Sequence, residues 1–275
     1  VSFSDVSDNS THNDAYIIYD IYPLRKRCDE PLCKTYIART DLTIYTYGMS
    51  QRACTFAPVE YYHIYNRGNS KQTIFKSKMD YARFIALLYG TNTSDHFNFY
   101  NDEKLRDVFA YMQIDPPVAI GAYCLMPNHF HILVTPLREN GVPEFMKKLS
   151  TAYVMYFNLK YKRTGGLFEG RYKAEHLSND KYLKYVFSYI HLNPVKLFQK
   201  DWHEVGIHDQ KSTLKFLSTY SFSSYIDFTE HTRKESKILS LKNFPLYFPT
   251  KERFFKEIQT WLNYGKDIAR TDLTI

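Results

Sequence analysis

The chain has 275 residues and a mass of 32.6 kDa, enough for one large domain or two small ones around a real hydrophobic core. An apolar content of 44%, with only 10 Gly and 11 Pro, excludes collagen-like, fibrous and disordered classes. Its 36 Lys+Arg against 29 Asp+Glu leave a charge of +7, which favours an acidic partner such as nucleic acid without naming it.

The first feature along the chain is a repeat. Ile37 to Ile44, IARTDLTI, recurs unchanged as Ile268 to Ile275. The chain also begins with Val, and Met49 precedes the first well-patterned segment. Residues 1–48 therefore read as a doubtful leader. Translation through repeated or circular DNA accounts for both features; a genuine extension that pairs with or mimics the C-terminal tail is the competing reading. No run approaches the roughly 18 apolar residues of a membrane span, and no secretory h-region follows Val1, so a cytoplasmic protein is expected. Cys28, Cys33, Cys54 and Cys124 form no CxxC pair, which suits reduced thiols in that compartment.

From Pro58 the pattern becomes ordered. Tyr61 to Arg67 (YYHIYNR) is β-prone and ends at Gly68-Asn69, a turn signal. Lys78 to Tyr89 places Met79, Phe84, Leu87 and Leu88 near one helical face, with Gly90 closing it. Asn92 to Asp115 has no readable period. Val118 to Met126 and Phe130 to Thr135 read as strands separated by Pro127-Asn128, and Val142 to Tyr161 as a helix ended by Gly165-Gly166. Leu167 to Leu177 reads as a short strand or extended loop, and Asp180 to His191 as a helix stopped at Asn193-Pro194. The order β, α, β, β, α, β, α predicts an α+β fold: a ferredoxin-like antiparallel sheet with helices on one face, over residues 57–200. Residues 201–275 form a basic, aromatic C-terminal extension with a helix-like Arg253 to Trp261 and no readable function.

Chemistry concentrates in Leu125 to Val134, LMPNHFHILV. Residues i and i+2 of a strand share a face, so His129 and His131 project together while Phe130 turns into the core. Two adjacent imidazoles make half of a divalent-metal site; the plainer alternative is that they cap a sheet face. In Tyr185 to Val195 (YVFSYIHLNPV), Tyr189 and Asn193 stand one helical turn apart. If that face packs on the strand histidines, Asn193 completes a three-ligand site and Tyr189 aims its phenol at whatever the metal polarises. Oxygen-rich ligation suits Mg²⁺ or Mn²⁺, and imidazole tilts the choice toward Mn²⁺. Tyr182 and Tyr185 are the rival phenols, His191 lies off the Tyr189 face, and His63 shares a strand face with Tyr61 and Tyr65.

Met146 to Lys200 holds 11 Lys+Arg and 3 Asp+Glu, so the positive charge is local. Lys160, Lys162, Arg163, Arg171, Lys173 and Lys181 alternate there with Tyr156, Phe157, Tyr161, Phe168 and Tyr172, a mixture suited to phosphate contact and base stacking. A solvated basic helix face is the alternative.

MPNHFHILV, YFNLKYKRTGGLFEGRYK, YLKYVFSYIHLNPVK and the upstream HIYNRGNSKQTIF together resemble the IS200-like single-tyrosine transposases, most closely their REP-associated branch. The resemblance implies a histidine-hydrophobe-histidine nuclease in which His129 and His131 hold a divalent ion, Asn193 adds a ligand and Tyr189 is the nucleophile. It implies nicking of single-stranded, hairpin or palindromic DNA through a 5′-phosphotyrosine and rejoining without ATP. Asn66, Arg67 and Asn69 match the family's YNRG segment and are expected to receive DNA, although a strand-ending turn explains Gly68 as well. The IS200 group implies a homodimer and the REP-associated branch a monomer. A catalytically silent hairpin-binding protein, or a nuclease in a relaxase or replication-initiator setting, would carry the same fold.

Overall fold

The structure, a computed structural model, describes residues 55–95, 108–229 and 233–263. The expected leader at 1–48, both copies of the octapeptide, and Cys28, Cys33 and Cys54 lie outside the described residues.

Four strands form one antiparallel sheet: β1 (Tyr62–Arg67), β2 (Val118–Met126), β3 (His129–Pro136) and β4 (Lys173–His176), in the order β2-β3-β1-β4. Helix α1 (Lys78–Gly90) links β1 to β2, and α2 (Gly141–Lys160) links β3 to β4. That order and connectivity are the ferredoxin-like arrangement expected from the sequence. The segment 167–177, open between strand and loop, resolves into β4 at its end only.

Strand parity decides which face each side chain serves. Tyr62, Ile64, Phe130, Ile132 and Val134 point into one core with Phe84 and Leu88 of α1 and Phe145, Leu149, Tyr153 and Phe157 of α2. On β2 a register shift between Ile120 and Ala122 changes the parity. Ile120, Tyr123 and Leu125 therefore join this core while Ala122, Cys124 and Met126 face the other way. Gly121 sits at the shift, where an added Cβ would lie 2.8 Å from the Phe244 ring. Only glycine lets that ring close on the sheet.

The sequence predicts helices on one face only, but the second face is covered too: it carries α3 (Asp180–Leu192), α4 (Val195–Phe198), α5 (Trp202–Val205), α6 (Gln210–Thr219) and α7 (Lys251–Asn263). Leu183, Val186 and Ile190 of α3 meet Leu133 and Met126 of the sheet, and Trp202, Leu217, Tyr225, Phe254, Ile258 and Leu262 complete this second core. The C-terminal extension is thus packed against α3. Among the described residues no helix is long and apolar enough to cross a membrane.

Candidate active site

Helix α3 is placed by its ends. At its start the Asn179 side chain accepts a hydrogen bond from the Tyr182 amide at 2.8 Å. At its end the Asn193 amide nitrogen and the Asn193 Nδ2 both donate to the Tyr189 carbonyl, at 3.1 and 3.0 Å. These bonds cap the last turn, so that Tyr189 and Asn193 are held over the histidine face of the sheet.

On that face β1 and β3 present His63, Tyr65, Arg67, His129 and His131 together, because Tyr65 is registered with His131 and Arg67 with His129. The Tyr189 ring stands edge-on to His131 at 5.6 Å and to His63 at 6.1 Å. His129 and His131 are 5.0 Å apart, ring to ring, and Phe130 between them is fully buried in the opposite core. The Asn193 amide lies against both the His129 imidazole and the Tyr189 phenol. The four residues His129, His131, Tyr189 and Asn193 are therefore neighbours.

Electrostatics keep both imidazoles neutral. Burial, with the charges of Lys196 and Arg67 nearby, pulls His129 down to about 4, an effect opposed by the Asn193 amide oxygen accepting from the ring. Burial and the neighbouring His129, His63 and Lys196 hold His131 well below the usual histidine range. Burial raises the Tyr189 phenol above its ordinary value, an effect the Asn193 hydrogen bond opposes. The Lys196 ammonium is itself lowered by desolvation, although the residue as a whole is exposed.

The donor set fits a cation. His131 Nε2 is buried without a partner, while Nδ1 of the same ring is bonded to His63. His129 Nδ1 is likewise engaged by Asn128 Oδ1 at 2.7 Å. Among the described residues no group of three His, Cys, Asp or Glu could by itself hold a metal ion; a cation here would have to draw on the two imidazoles and the Asn193 amide oxygen. Remaining positions would fall to oxygen ligands from outside. Lys196 and Arg67 beside such a cation favour an anionic substrate over a neutral one.

The residues expected to contact DNA separate into two groups. Arg67 is held in a two-pronged pair with Glu169 at 3.0 and 2.9 Å, next to His129. Lys173, registered with Tyr65, is exposed and lies over the Tyr65 ring at 5.9 Å, and Arg171 is exposed just before it. Asn69 is exposed in the turn after β1. Asn66 is buried, and its Nδ2 donates to the Gly170 carbonyl at 3.1 Å, so it ties β1 to the loop before β4. Lys160 belongs to the α1–α2 layer: its Nζ donates to buried Asp80 at 2.6 Å and to Ser77 and Tyr156 at 2.9 Å each. Arg163 lies over Phe157 in that layer and donates to the Gly166 carbonyl, and Lys162 is exposed beside it. The structure does not bring Lys160, Lys162 or Arg163 to the Tyr189 face. A charge count along the chain cannot record which side of a sheet a residue reaches.

Several neighbours were not singled out by sequence as site residues. A cleft beside Tyr189 and Asn193 is walled by Leu192, Lys196, Trp202 and Trp261, the last two supplied by the C-terminal extension, together with Tyr185, already named as a rival phenol. Glu175 of β4 stands opposite His63. Strand parity was the available signal for Glu175, once the β1–β4 register is known; nothing local marks Trp261. His191 is fully buried between Phe187, Phe228 and Phe254, which makes it a packing residue.

Residues 59–193 match the family model described as "Transposase IS200 like". A solved structure described as "Structure of the REP associates tyrosine transposase bound to a REP hairpin" is 15% identical, covering 65% of this chain and 84% of that one, with a TM-score of 0.38. No curated protein matches the chain.

Proposed function

Residues 59–193 form an IS200-like transposase domain, and from that premise we propose that the chain nicks and rejoins single-stranded DNA through a covalent bond to Tyr189. The observation that carries this reading is the placement of the Tyr189 phenol beside His131, with the Asn193 amide against both Tyr189 and His129. His129, His131 and Asn193 would hold a divalent cation, Mg²⁺ or Mn²⁺. When bound, that cation supplies positive charge to a phosphoryl oxygen and to the desolvated phenol.

Tyr189 Oη forms the bond to phosphorus; the bond from phosphorus to the 3′ oxygen breaks, and that oxygen leaves as a 3′-OH. The phenol proton is released to water and the leaving oxygen takes one up, so the step balances. Attack by a 3′-OH reverses it. Arg67, Arg171, Lys173 and Lys196 would hold the flanking phosphates, with Asn69 at the turn. Asn66 serves by holding the loop that carries Arg171. Hairpin or palindromic DNA in the cytoplasm is the proposed substrate, handled by a monomer or homodimer.

Incubation of labelled hairpin-flanked single-stranded DNA with Mn²⁺ is expected to give a covalent protein–DNA adduct with wild type and Tyr185→Phe, and none with Tyr189→Phe. An adduct of wild-type yield on Tyr189→Phe would overturn the assignment. A wild-type protein that shifts the DNA but forms no adduct would identify a silent binding protein on this fold.

A further inference from the structure

His63 is 1% exposed, inside the site but with no place in the chemistry above. Its ring stacks on His131 at 5.0 Å with 17° between planes, and its Nε2 lies 2.9 Å from His131 Nδ1. Its own Nδ1 makes no hydrogen bond and lies 3.9 Å from Glu175 Oε2. The other Glu175 oxygen accepts from the Tyr182 hydroxyl at 2.5 Å. A carboxylate, two imidazoles and a vacant ring nitrogen therefore stand in line: Glu175, His63, His131, and the buried, partnerless His131 Nε2.

We propose that Glu175 and His63 are positioning residues that fix the tautomer of His131, so that its Nε2 presents a lone pair to the cation site. Only one proton can lie between His63 Nε2 and His131 Nδ1. If His131 donates it, His131 Nε2 is free to ligate and the His63 proton sits on Nδ1, facing the carboxylate. If His63 donates it, neutral His131 carries its own proton on Nε2 and cannot ligate there. The Glu175 charge decides between the two. At 3.9 Å the contact is electrostatic, and with both rings buried the field favours a proton on the His63 nitrogen nearest the carboxylate. Tyr182 anchors the carboxylate at its other oxygen, so the residue that sets the tautomer is tied to the helix that carries Tyr189. Ligand histidines in metal sites commonly have their second nitrogen engaged in this way.

The inference rests on the proposed metal role of His131, but one arm of its test does not. In the full-length, metal-free protein labelled with ¹⁵N-histidine, imidazole nitrogen shifts are expected to place the His131 proton on Nδ1. A wild-type His131 protonated on Nε2 overturns the relay whatever the metal does. Mn²⁺ affinity, read by electron paramagnetic resonance, is expected to fall about 10- to 100-fold in His63→Leu and to change less than about threefold in His63→Gln, whose amide oxygen reaches the position of the lost acceptor. Glu175→Gln is expected to shift His131 toward the Nε2–H tautomer and weaken Mn²⁺ in step, and it carries the test should His63→Leu not fold. Wild-type affinity and tautomer in both Glu175→Gln and a folded His63→Leu would overturn the proposal. An Nδ1–H tautomer in a wild-type protein that takes up no Mn²⁺ would keep the relay and remove the metal reading instead.

Discussion

His191 offers a measurement that separates packing from chemistry on the helix carrying the proposed nucleophile. It is fully buried among Phe187, Tyr225, Phe228 and Phe254, and its Nε2 lies 2.8 Å from Ser224 Oγ. Burial pulls its pKa from 6.5 to about 3. A histidine depressed in the folded state contributes stability that is present above its unfolded pKa and lost as pH falls, because the unfolded chain takes up the proton first. Each pH unit below 6.5 then costs about 1.4 kcal/mol, or about 2 kcal/mol by pH 5. With an m-value of about 2 kcal/mol/M that is a loss of about 1 M in the urea midpoint from this one site. The assay is urea unfolding of wild type and His191→Gln at pH 7, 6 and 5 with chelator present. Buried His129 and His131 move in the same direction in both proteins, so they cancel in the difference. The gap between wild type and variant should therefore change by about 2 kcal/mol across that range, in favour of His191→Gln at low pH. Parallel pH curves would refute the reasoning, and loss of DNA cleavage by a fully folded His191→Gln would give His191 a role beyond packing.

Three further outcomes follow from the geometry. Asp80 accepts from the Lys76 and Ser77 amides at 2.8 Å each, from Tyr161 at 2.7 Å, from Tyr156 at 2.9 Å and from Lys160 at 2.6 Å; although burial raises its pKa, the side-chain bonds hold it below the usual carboxylate range. Asp80→Ala should cost about 3–5 kcal/mol in urea unfolding; since the wild-type carboxylate stabilises above its unfolded pKa and loses that contribution on acidification, the cost should shrink below pH 4, and a cost under about 1 kcal/mol at pH 7 contradicts the network. Gly68→Ala would put a Cβ 2.2 Å from the Gln72 carbonyl and 2.8 Å from Ile74, so a loss of about 1–3 kcal/mol in thermal melts is expected from backbone that must shift, and an unchanged melt disproves the close approach. Lys196→Gln should flatten the salt dependence of single-strand binding by about 0.7 in log–log slope, whereas Lys160→Gln, already bonded to Asp80, should leave the slope alone and lower stability; equal slope changes would put Lys160 back at the DNA.

Much of this molecule was readable because strand parity and helical period are strict. HFH on a strand puts the two histidines on one face and Phe130 on the other, and the structure has that arrangement. A four-residue interval places Tyr189 and Asn193 on one side of α3, and their contacts with His131 and His129 follow once that side meets the sheet. What stayed hidden depends on pairing between distant segments. Glu175 gains meaning only when β4 is registered against β1, and the β2 register shift that splits Ile120 from Ala122 is marked locally by Gly121 alone. Lys160 and Lys173 look alike in the sequence, and only the layer each belongs to separates an internal ion pair from an open cation.

The C-terminal region was unreadable for a related reason. Its turns have no period, and although α6 and α7 are amphipathic, what their apolar faces cover is set by α3 and β2, far away in the sequence. Phe244 closes over Gly121, Phe254 and Tyr225 enclose His191, and Trp261 packs on Tyr185 at 5.0 Å. Helix α3 is thereby gripped from two sides. The sheet fixes Tyr189 and Asn193, while the extension fixes His191 and Tyr185, one turn or less away. Because Tyr185 and His191 share the 13 residues of α3 with Tyr189, the packing of the extension helps set where the Tyr189 ring stands relative to His131. The aromatic tail and the histidine pair are mechanically joined through α3, although they share no motif in the sequence.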